Sequence, residues 1–458
     1  MNKYDLSQTR FSIIIRKLVS SIYFPFFIAL ITYISWAFSL VFLGLWIFTI
    51  LIILLMVTQK NSIYALPIFL IIFYMFPDFK EAYYFAGINL GLCVLAAIYH
   101  IFAYKVKLDK GELFYPIMAT FLAGAVGGIV YTTMTYGLWH YIKDTLFILM
   151  LAVSFGGGYL FLNSTITLEE DFDYKKYISY AFLCLAFLLI AQMATYYARV
   201  EDPFKAIANK TLRVGWGNTN TIATVLMAAV PFILYLSTQY KYGMFFLPAA
   251  FLAYGAIWVT QSRGCILAST PLLFFYVIYL IIKTKDKKRY WLIACAGLCV
   301  IAAAALLVIF KDRLFELFKN MFAKGLDDSG RFELYKEAWE LFKKHFLFGT
   351  GYFYKTDQIE SFMYMFHSTP LQIMANLGVA GVIAFGYFYY YKYKILLKNR
   401  NHSFGMAIII SIVSLELYGL IDVYLVVYFL AITTIALLII AQKELLIKKT
   451  KPEGEGNG

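Results

Sequence analysis

The sequence predicts an all-α polytopic membrane protein, a bundle of about 14 transmembrane helices with one long helical segment outside the bilayer. Three observations predict it. Of 458 residues, 62% are hydrophobic and 15% charged, with a mean hydropathy of +0.71, whereas soluble domains are about half apolar and a quarter charged. Apolar runs long enough to cross a hydrocarbon core of about 30 Å recur from end to end. The cations gather in alternate connections between those runs.

In chain order the expected spans are 18–36, 38–57, 62–77, 83–104, 113–134, 145–163, 177–197, 219–238, 242–260, 263–283, 290–310, 368–391, 405–421 and 423–442. Lys3, Arg10, Arg16 and Lys17 precede the first run and no small-residue cleavage site follows it, so it reads as a retained span. With the N-terminus in the cytoplasm, 24 of the 40 Lys and Arg fall inside, including the cluster from Lys283 to Arg289 and the group Lys392, Lys394, Lys398 and Arg400. Short outer connections hold only Lys80, Lys143 and Arg263, and the other outer cations sit in two long segments, 198–218 and 311–366. This is the positive-inside pattern, and an even number of spans with both termini cytoplasmic satisfies every connection. The net charge of +13 is therefore a topology signal, and no nucleic-acid partner is expected.

The chain divides into 1–210, holding spans one to seven and the first outer loop; 211–310, holding spans eight to eleven; the extracytoplasmic loop 311–366; 367–442, holding the last three spans; and a cytoplasmic tail, 443–458. In the long loop, Asp328 and Ser329 offer an N-cap to a helix from Gly330 to Lys344. Phe332, Tyr335, Trp339 and Phe342 recur on it at helical spacing, as Leu314, Phe315, Phe318, Met321 and Phe322 do in 311–324. Both stretches read as amphipathic helices lying on the membrane surface. Gly124-xxx-Gly128 and Gly156-Gly157-Gly158 permit close helix approach. Cys93, Cys184, Cys265, Cys295 and Cys299 all lie in or beside apolar runs, where neither a disulfide nor a zinc site is expected.

Four short pieces carry candidate chemistry, all on the outer side. They are Arg213-Val-Gly-Trp-Gly-Asn-Thr-Asn220, which contains Trp216 and Asn218; Gln261-Ser262-Arg263-Gly264; Ser329-Gly330-Arg331; and His367-Ser368-Thr369-Pro370. An arginine in a short turn at the membrane face is costly unless it binds something, although it also serves as a snorkelling anchor. Arginine is the ordinary residue of a solvated loop, histidine before proline caps a span, and Trp216 and Trp339 suit an interface belt. Glu416, inside span thirteen, is a candidate site carboxylate or a partner for one of these arginines, and Asp422 follows that span. Three arginines and a histidine on one face suit an anionic diphosphate, which guanidinium groups clamp through multidentate contacts, and the histidine suits a general base. DxD, HExxH, P-loop and glycine-rich nucleotide signatures are absent from the sequence. An outward site lacks access to nucleotide sugars, so an activated donor must arrive on a lipid.

At these residues the sequence resembles the O-antigen ligase/polymerase family of bacterial membrane glycosyltransferases, over roughly 210–385. The likeness rests on Gly217-Asn218-Thr219-Asn220 leading into a span, Ser262-Arg263-Gly264, and Ser329-Gly330-Arg331 followed by Trp339 and Phe348-Gly349-Thr350-Gly351. His367 followed by Leu371-Gln372, Asn376, Gly378 and Gly381 completes it. Thr219 and Ser368 depart from the family's usual Asn-Pro-Asn and His-Asn. The resemblance implies a GT-C-like membrane fold, inverting transfer without metal or cofactor, a glycan donor on undecaprenyl diphosphate, and a sugar hydroxyl on an acceptor glycan. It further implies that Arg263 and Arg331 hold the diphosphate and that His367 orients or deprotonates the acceptor. Arg213 joins them on charge and topology, and Trp216, Asn218, Asn220, Tyr335, Trp339 and Glu416 complete the candidate substrate site. The loop helix would cover that site and exclude water.

Fourteen spans favour a polymerase of repeat units in a bacterial cytoplasmic membrane, with a chain-length regulator as a possible partner. An O-antigen ligase or a protein O-oligosaccharyltransferase is the alternative within the family. A lipid-linked oligosaccharide flippase is the alternative outside it, but that needs charges lining the bilayer-spanning cavity, and the expected spans hold few besides His100 and Glu416. The topology makes a direct prediction. A cysteine inserted near Lys324 reacts with an impermeant thiol reagent on intact cells; reaction only after permeabilisation would overturn the outward site.

Overall fold

The computed structural model describes residues 6–76, 83–169, 171–215, 217–240, 243–312, 315, 319, 330–352, 364–424 and 428–450. Among them, nine helices are long and apolar enough to cross a membrane, or ten if the bent pair Arg10–Val19 and Tyr23–Ala37 is one span. Four shorter apolar helices lie at 62–75, 87–103, 246–259 and 403–419. Each of the expected spans coincides with one of these helices, so the protein is an all-α polytopic membrane protein. Of the stretch 311–324, only 311, 312, 315 and 319 are described; Asp328, Ser329 and Trp216 also lie outside the described residues.

The chain folds as two compact units. One comprises Met1–Lys107, Thr165–Ala323 and Arg400–Leu415; the other comprises Leu108–Ser164, Lys324–Asn399 and Glu416–Gly458. At the centre of the first is Thr219–Gln239, buried at nearly every position from Ile222 to Ser237. A helix apolar on all sides belongs in such a place. Phe182 of Tyr174–Ala198 stacks on its Phe232 at 4.3 Å between ring centroids, and Phe404 meets the same ring edge-on at 5.8 Å. Asn218 starts this helix, its side-chain oxygen accepting from the Thr221 amide at 3.1 Å, and Asp173 caps Tyr174–Ala198 likewise through Lys176.

The second unit is organised around a broken helix, Thr369–Lys398. It leaves helical geometry at Gly378 (φ 60°, ψ −156°), about 14 Å from its start. In a bilayer the backbone groups freed by such a break need protein partners. Residues 346–351 supply them. Thr350 and Gly351 amides donate to the carbonyls of Ala375 (3.0 Å) and Asn376 (2.8 Å), while Val379 and Ala380 amides donate to Phe346 (2.9 Å) and Leu347 (3.1 Å). The two backbones run so close that a Cβ on Gly349 would lie 2.2 Å from the Asn376 carbonyl carbon, and one on Gly378 2.6 Å from Leu347. Both glycines also need positive φ. Gly124 and Gly128 pack against the Tyr352 ring and the Thr350–Gly351 backbone, an irregular turn rather than a neighbouring helix.

Two expectations need correction here. Lys392 does not begin a cytoplasmic connection: the helix runs on to Lys398 and Lys392 is completely buried. The reason is Glu416, whose carboxylate takes up the Lys392 ammonium together with the hydroxyls of Tyr393 and Tyr424. Lys392 also lies 3.7 Å from the centroid of the Tyr389 ring. The loop helix is likewise Arg331–Lys344, entered through Gly330 in the left-handed region, and its aromatic stripe is divided. Ala338 and Phe342 are buried, whereas Phe332 and Trp339 are exposed, because the packed face runs through 338 and 342 instead.

A buried charge that loses its partner is left uncompensated at a cost of about 3–5 kcal/mol. Glu416→Leu is therefore expected to lower the unfolding temperature of the detergent-solubilised protein markedly. The double change Lys392→Met/Glu416→Leu should recover most of the loss. A Glu416→Leu protein as stable as its parent would show that the pair carries no such weight.

Candidate functional site

Asp422, in the connection after Ser403–Gly419, gathers the second unit's polar groups at one point. Its Oδ1 accepts from His367 Nδ1 at 3.0 Å and from the Val423 amide at 2.8 Å. Its Oδ2 accepts from the Tyr418 hydroxyl at 2.6 Å. Arg331 Nη2 stands 3.7 Å from the same oxygen, and Arg331 Nη1 donates to the Ile421 carbonyl at 2.6 Å. The Asp422 carbonyl accepts from the amide and hydroxyl of Thr369, at 3.1 and 3.2 Å, tying the turn to the start of the broken helix.

The sequence dictates these placements locally. Pro370 fits the first turn of Thr369–Lys398, with Ser368 extended at the N-cap. His367, one residue earlier, takes φ 49°, a left-handed conformation uncommon outside glycine, which histidine adopts more readily than most side chains. Its carbonyl accepts from the Tyr335 hydroxyl at 3.1 Å, so the loop helix holds the backbone while Asp422 holds the ring. The Gln372 carboxamide braces the approach, accepting from the Phe366 amide at 2.8 Å and donating to the Tyr364 carbonyl at 2.9 Å.

Burial opposes the charged form of Asp422, but the hydrogen bonds from His367 and Tyr418 outweigh it, and the carboxyl group is held below its usual range. A carboxylate only accepts, so the proton on this edge of the imidazole sits on Nδ1. The histidine's other nitrogen, Nε2, makes no hydrogen bond among the described residues, and the side chain is 39% exposed. An imidazole with one nitrogen anchored by a carboxylate and the other open is oriented to take a proton. Burial likewise pushes the Tyr335 phenol upward, with Arg331 opposing, so it remains a hydrogen-bond donor.

The first unit holds the remaining candidates. Arg213 pairs with Asn218 across a two-stranded antiparallel ladder and is exposed. Asn218 is occupied as the cap of Thr219–Gln239. Cys265 Sγ lies 3.9 Å from the Asn220 carbonyl and 3.5 Å from Thr224 Oγ1, which sets the first turns of Thr219–Gln239 and Arg263–Lys283 side by side. Arg263 opens the second of these helices, after Gln261 at φ 54° and Ser262 at the N-cap.

The structure thus brings Arg331, Tyr335 and His367 together, and it brings Arg213, Asn218, Asn220 and Arg263 to neighbouring helix starts. Trp339 lies exposed on the loop helix, its ring tilted against Phe342 at 5.5 Å. Glu416 is engaged with Lys392 rather than with an arginine. Asp422 is the candidate that the sequence reading left without a role. The available signal was a lone acid just after a span, four residues after Tyr418. Among the described residues no group of three or more His, Cys, Asp or Glu is arranged to hold a metal ion.

Comparison with known proteins bears on this geometry. No curated protein matches the chain. Residues 248–386 match the family model described as O-antigen ligase. That interval contains Arg263, Arg331, Tyr335, Trp339, His367 and both glycine-bearing sides of the helix break, while Asp422 and Arg213 fall outside it. The match over residues 248–386 of this multi-pass membrane protein is to an O-antigen ligase domain, and it supports an O-antigen ligase/polymerase assignment.

Proposed function

We propose that the protein is a glycosyltransferase of the polysaccharide-polymerase type, moving glycan repeat units from undecaprenyl diphosphate to a sugar hydroxyl on the outer face of a bacterial cytoplasmic membrane. The observation that carries this reading is the imidazole of His367, fixed at Nδ1 by Asp422 and, among the described residues, unbonded at Nε2. In the proposed reaction the acceptor hydroxyl gives its proton to Nε2, and its oxygen attacks the anomeric carbon of the donor. The bond from that carbon to the diphosphate oxygen breaks, and the electron pair leaves on undecaprenyl diphosphate. A single displacement of this kind inverts the anomeric centre. Asp422 stabilises the imidazolium that forms, as a carboxylate behind a catalytic histidine does elsewhere.

Arg263 and Arg331 are proposed to neutralise the departing diphosphate, with Arg213 drawing it in. Arg331 spends two contacts on the Ile421–Asp422 turn, so its part is shared between positioning that turn and meeting the donor. Tyr335 and the exposed ring of Trp339 offer a sugar-facing surface on the loop helix. Transfer to a lipid or protein acceptor would use the same groups. The product pattern separates the cases: purified protein given a short undecaprenyl-diphosphate-linked repeat makes a ladder if it polymerises.

Loss of a charge-assisted contact to a leaving anion costs about 2–4 kcal/mol of transition-state stabilisation. Arg263→Ala and Arg331→Ala are expected to abolish detectable transfer in protein that still reaches the membrane, with lysine rescuing only partly because it lacks the planar fork. Near-normal transfer by Arg263→Ala would make that residue a membrane anchor.

His367→Ala is expected to slow turnover by about 10²–10⁴ with little change in donor affinity. Asp422→Asn keeps the shape but removes the charge behind the imidazole, and should approach the same loss. A variant at His367 that turns over normally but binds donor weakly would make the histidine a binding residue. An Asp422→Asn protein with full turnover would remove the dyad from the mechanism.

A further inference from the structure

We propose that the helix Arg10–Val19 lies flat in the membrane interface and docks on anionic phospholipid headgroups, a lipid-binding surface distinct from the spans and from the transfer site. In the sequence its cations are a topology signal; the fold gives them a place and a partner.

Thr9 caps this helix, its hydroxyl accepting from the Ser12 amide at 3.2 Å. The chain then bends by 76° before Tyr23–Ala37, so the first helix crosses the direction of the second instead of extending it. Its residues sort into three sides. Ser12 and Val19 are buried against the protein. Phe11, Ile14 and Leu18 stand together at helical spacing, and each is more than half exposed. Arg10 and Lys17, seven residues apart, share the flank turned away from the buried side. Neither makes an ion pair among the described residues, and the helix contains no acidic residue.

Gln59 sets the depth. Its carboxamide donates to the Ser12 carbonyl at 2.9 Å and accepts from Arg16 Nε at 3.4 Å. Gln59 ends Val41–Thr58, an apolar helix of 18 residues and so about 27 Å, close to the thickness of a hydrocarbon core. Lys60, exposed, follows it. Apolar chain gives way to polar chain at that point, which marks the bilayer boundary. A helix tied there by its buried side, and bent across the next one, lies level with the headgroups. Its apolar side continues into Phe26 and Phe27 on the exposed side of Tyr23–Ala37, so both face the acyl chains. The flank with Arg10 and Lys17 then points sideways into the phosphate layer. Apolar residues below and uncompensated cations beside them are the features of an interfacial helix that prefers anionic lipid.

The test uses the full-length protein in nanodiscs of phosphatidylcholine, with or without phosphatidylglycerol. Ile13→Cys and Ile14→Cys place thiols at neighbouring exposed positions about 100° apart round the helix, Ile14 on the apolar side and Ile13 towards water. Reaction with a water-soluble maleimide is read by mass spectrometry on the peptide holding the introduced cysteine. In anionic discs Ile13→Cys is expected to react and Ile14→Cys to be protected. Each basic residue at an anionic surface contributes about fivefold, so Arg10→Gln/Lys17→Gln should raise labelling of Ile14→Cys about 25-fold. Omitting phosphatidylglycerol should do the same, and that comparison uses one protein throughout, so it stands even where the double change disturbs folding. Two protected thiols would put the helix in the hydrocarbon core as half of a broken span; two reactive ones would put it off the membrane. Either result, or protection of Ile14→Cys that ignores lipid charge, would overturn the proposal.

Discussion

Backbone amides and carbonyls have no water to bond in a bilayer core, and the second unit is built around one place where a helix breaks that rule. At Gly378 the Thr369–Lys398 helix gives up its own ladder, and residues 346–351 enter as a substitute partner on both sides of the break. Residues 346–351 are thereby fixed to the helix interior. Further along the chain, Asp422 holds His367 and Thr369 at the same helix's start. The loop helix leads into the first of these anchors, and its Tyr335 reaches the His367 carbonyl at the second. The geometry around the histidine is a consequence of satisfied backbone.

This changes what the family-like residues mean. Phe348-Gly349-Thr350-Gly351, Asn376 and Gly378 look in the sequence like outlying pieces of a catalytic signature. In the fold they are the joint, and the glycines are demanded by backbone-to-backbone approach that no Cβ permits. The periodic apolar runs were legible because hydrophobic length alone determines a span, and each expected span meets an apolar helix. The Arg331, Tyr335 and His367 grouping was legible only as a shared face. The contacts themselves depend on a turn 55 residues downstream of His367 that no local pattern announces. Lys392 was misread for a related reason: counted as a loop cation, it is a buried ion-pair partner whose carboxylate lies 24 residues away.

The two acid-centred clusters of the second unit divide by exposure. Lys392 is completely buried against Glu416 and three tyrosines, an arrangement that compensates charge where solvent cannot. The Asp422 cluster keeps an open edge: His367 is 39% exposed and Arg331 26%, and among the described residues the imidazole's Nε2 makes no hydrogen bond. A group that must exchange protons with a substrate needs that opening. Burial separates the Lys392–Glu416 pair from the Asp422 cluster, though both are built on carboxylates near the same span.

The turns that open the candidate helices share a device. Gln261-Ser262 and His367-Ser368 each place a non-glycine residue in the left-handed region, then a serine at the N-cap, then the helix. Such a residue costs of order 1–3 kcal/mol and persists only where its surroundings over-determine it. At His367 the compensation is visible, with Asp422 on the ring and Tyr335 on the carbonyl. At Gln261 the backbone amide donates to the Trp258 carbonyl at 3.0 Å. The same strained turn is thus braced through side chain and carbonyl at His367, and through the backbone amide at Gln261.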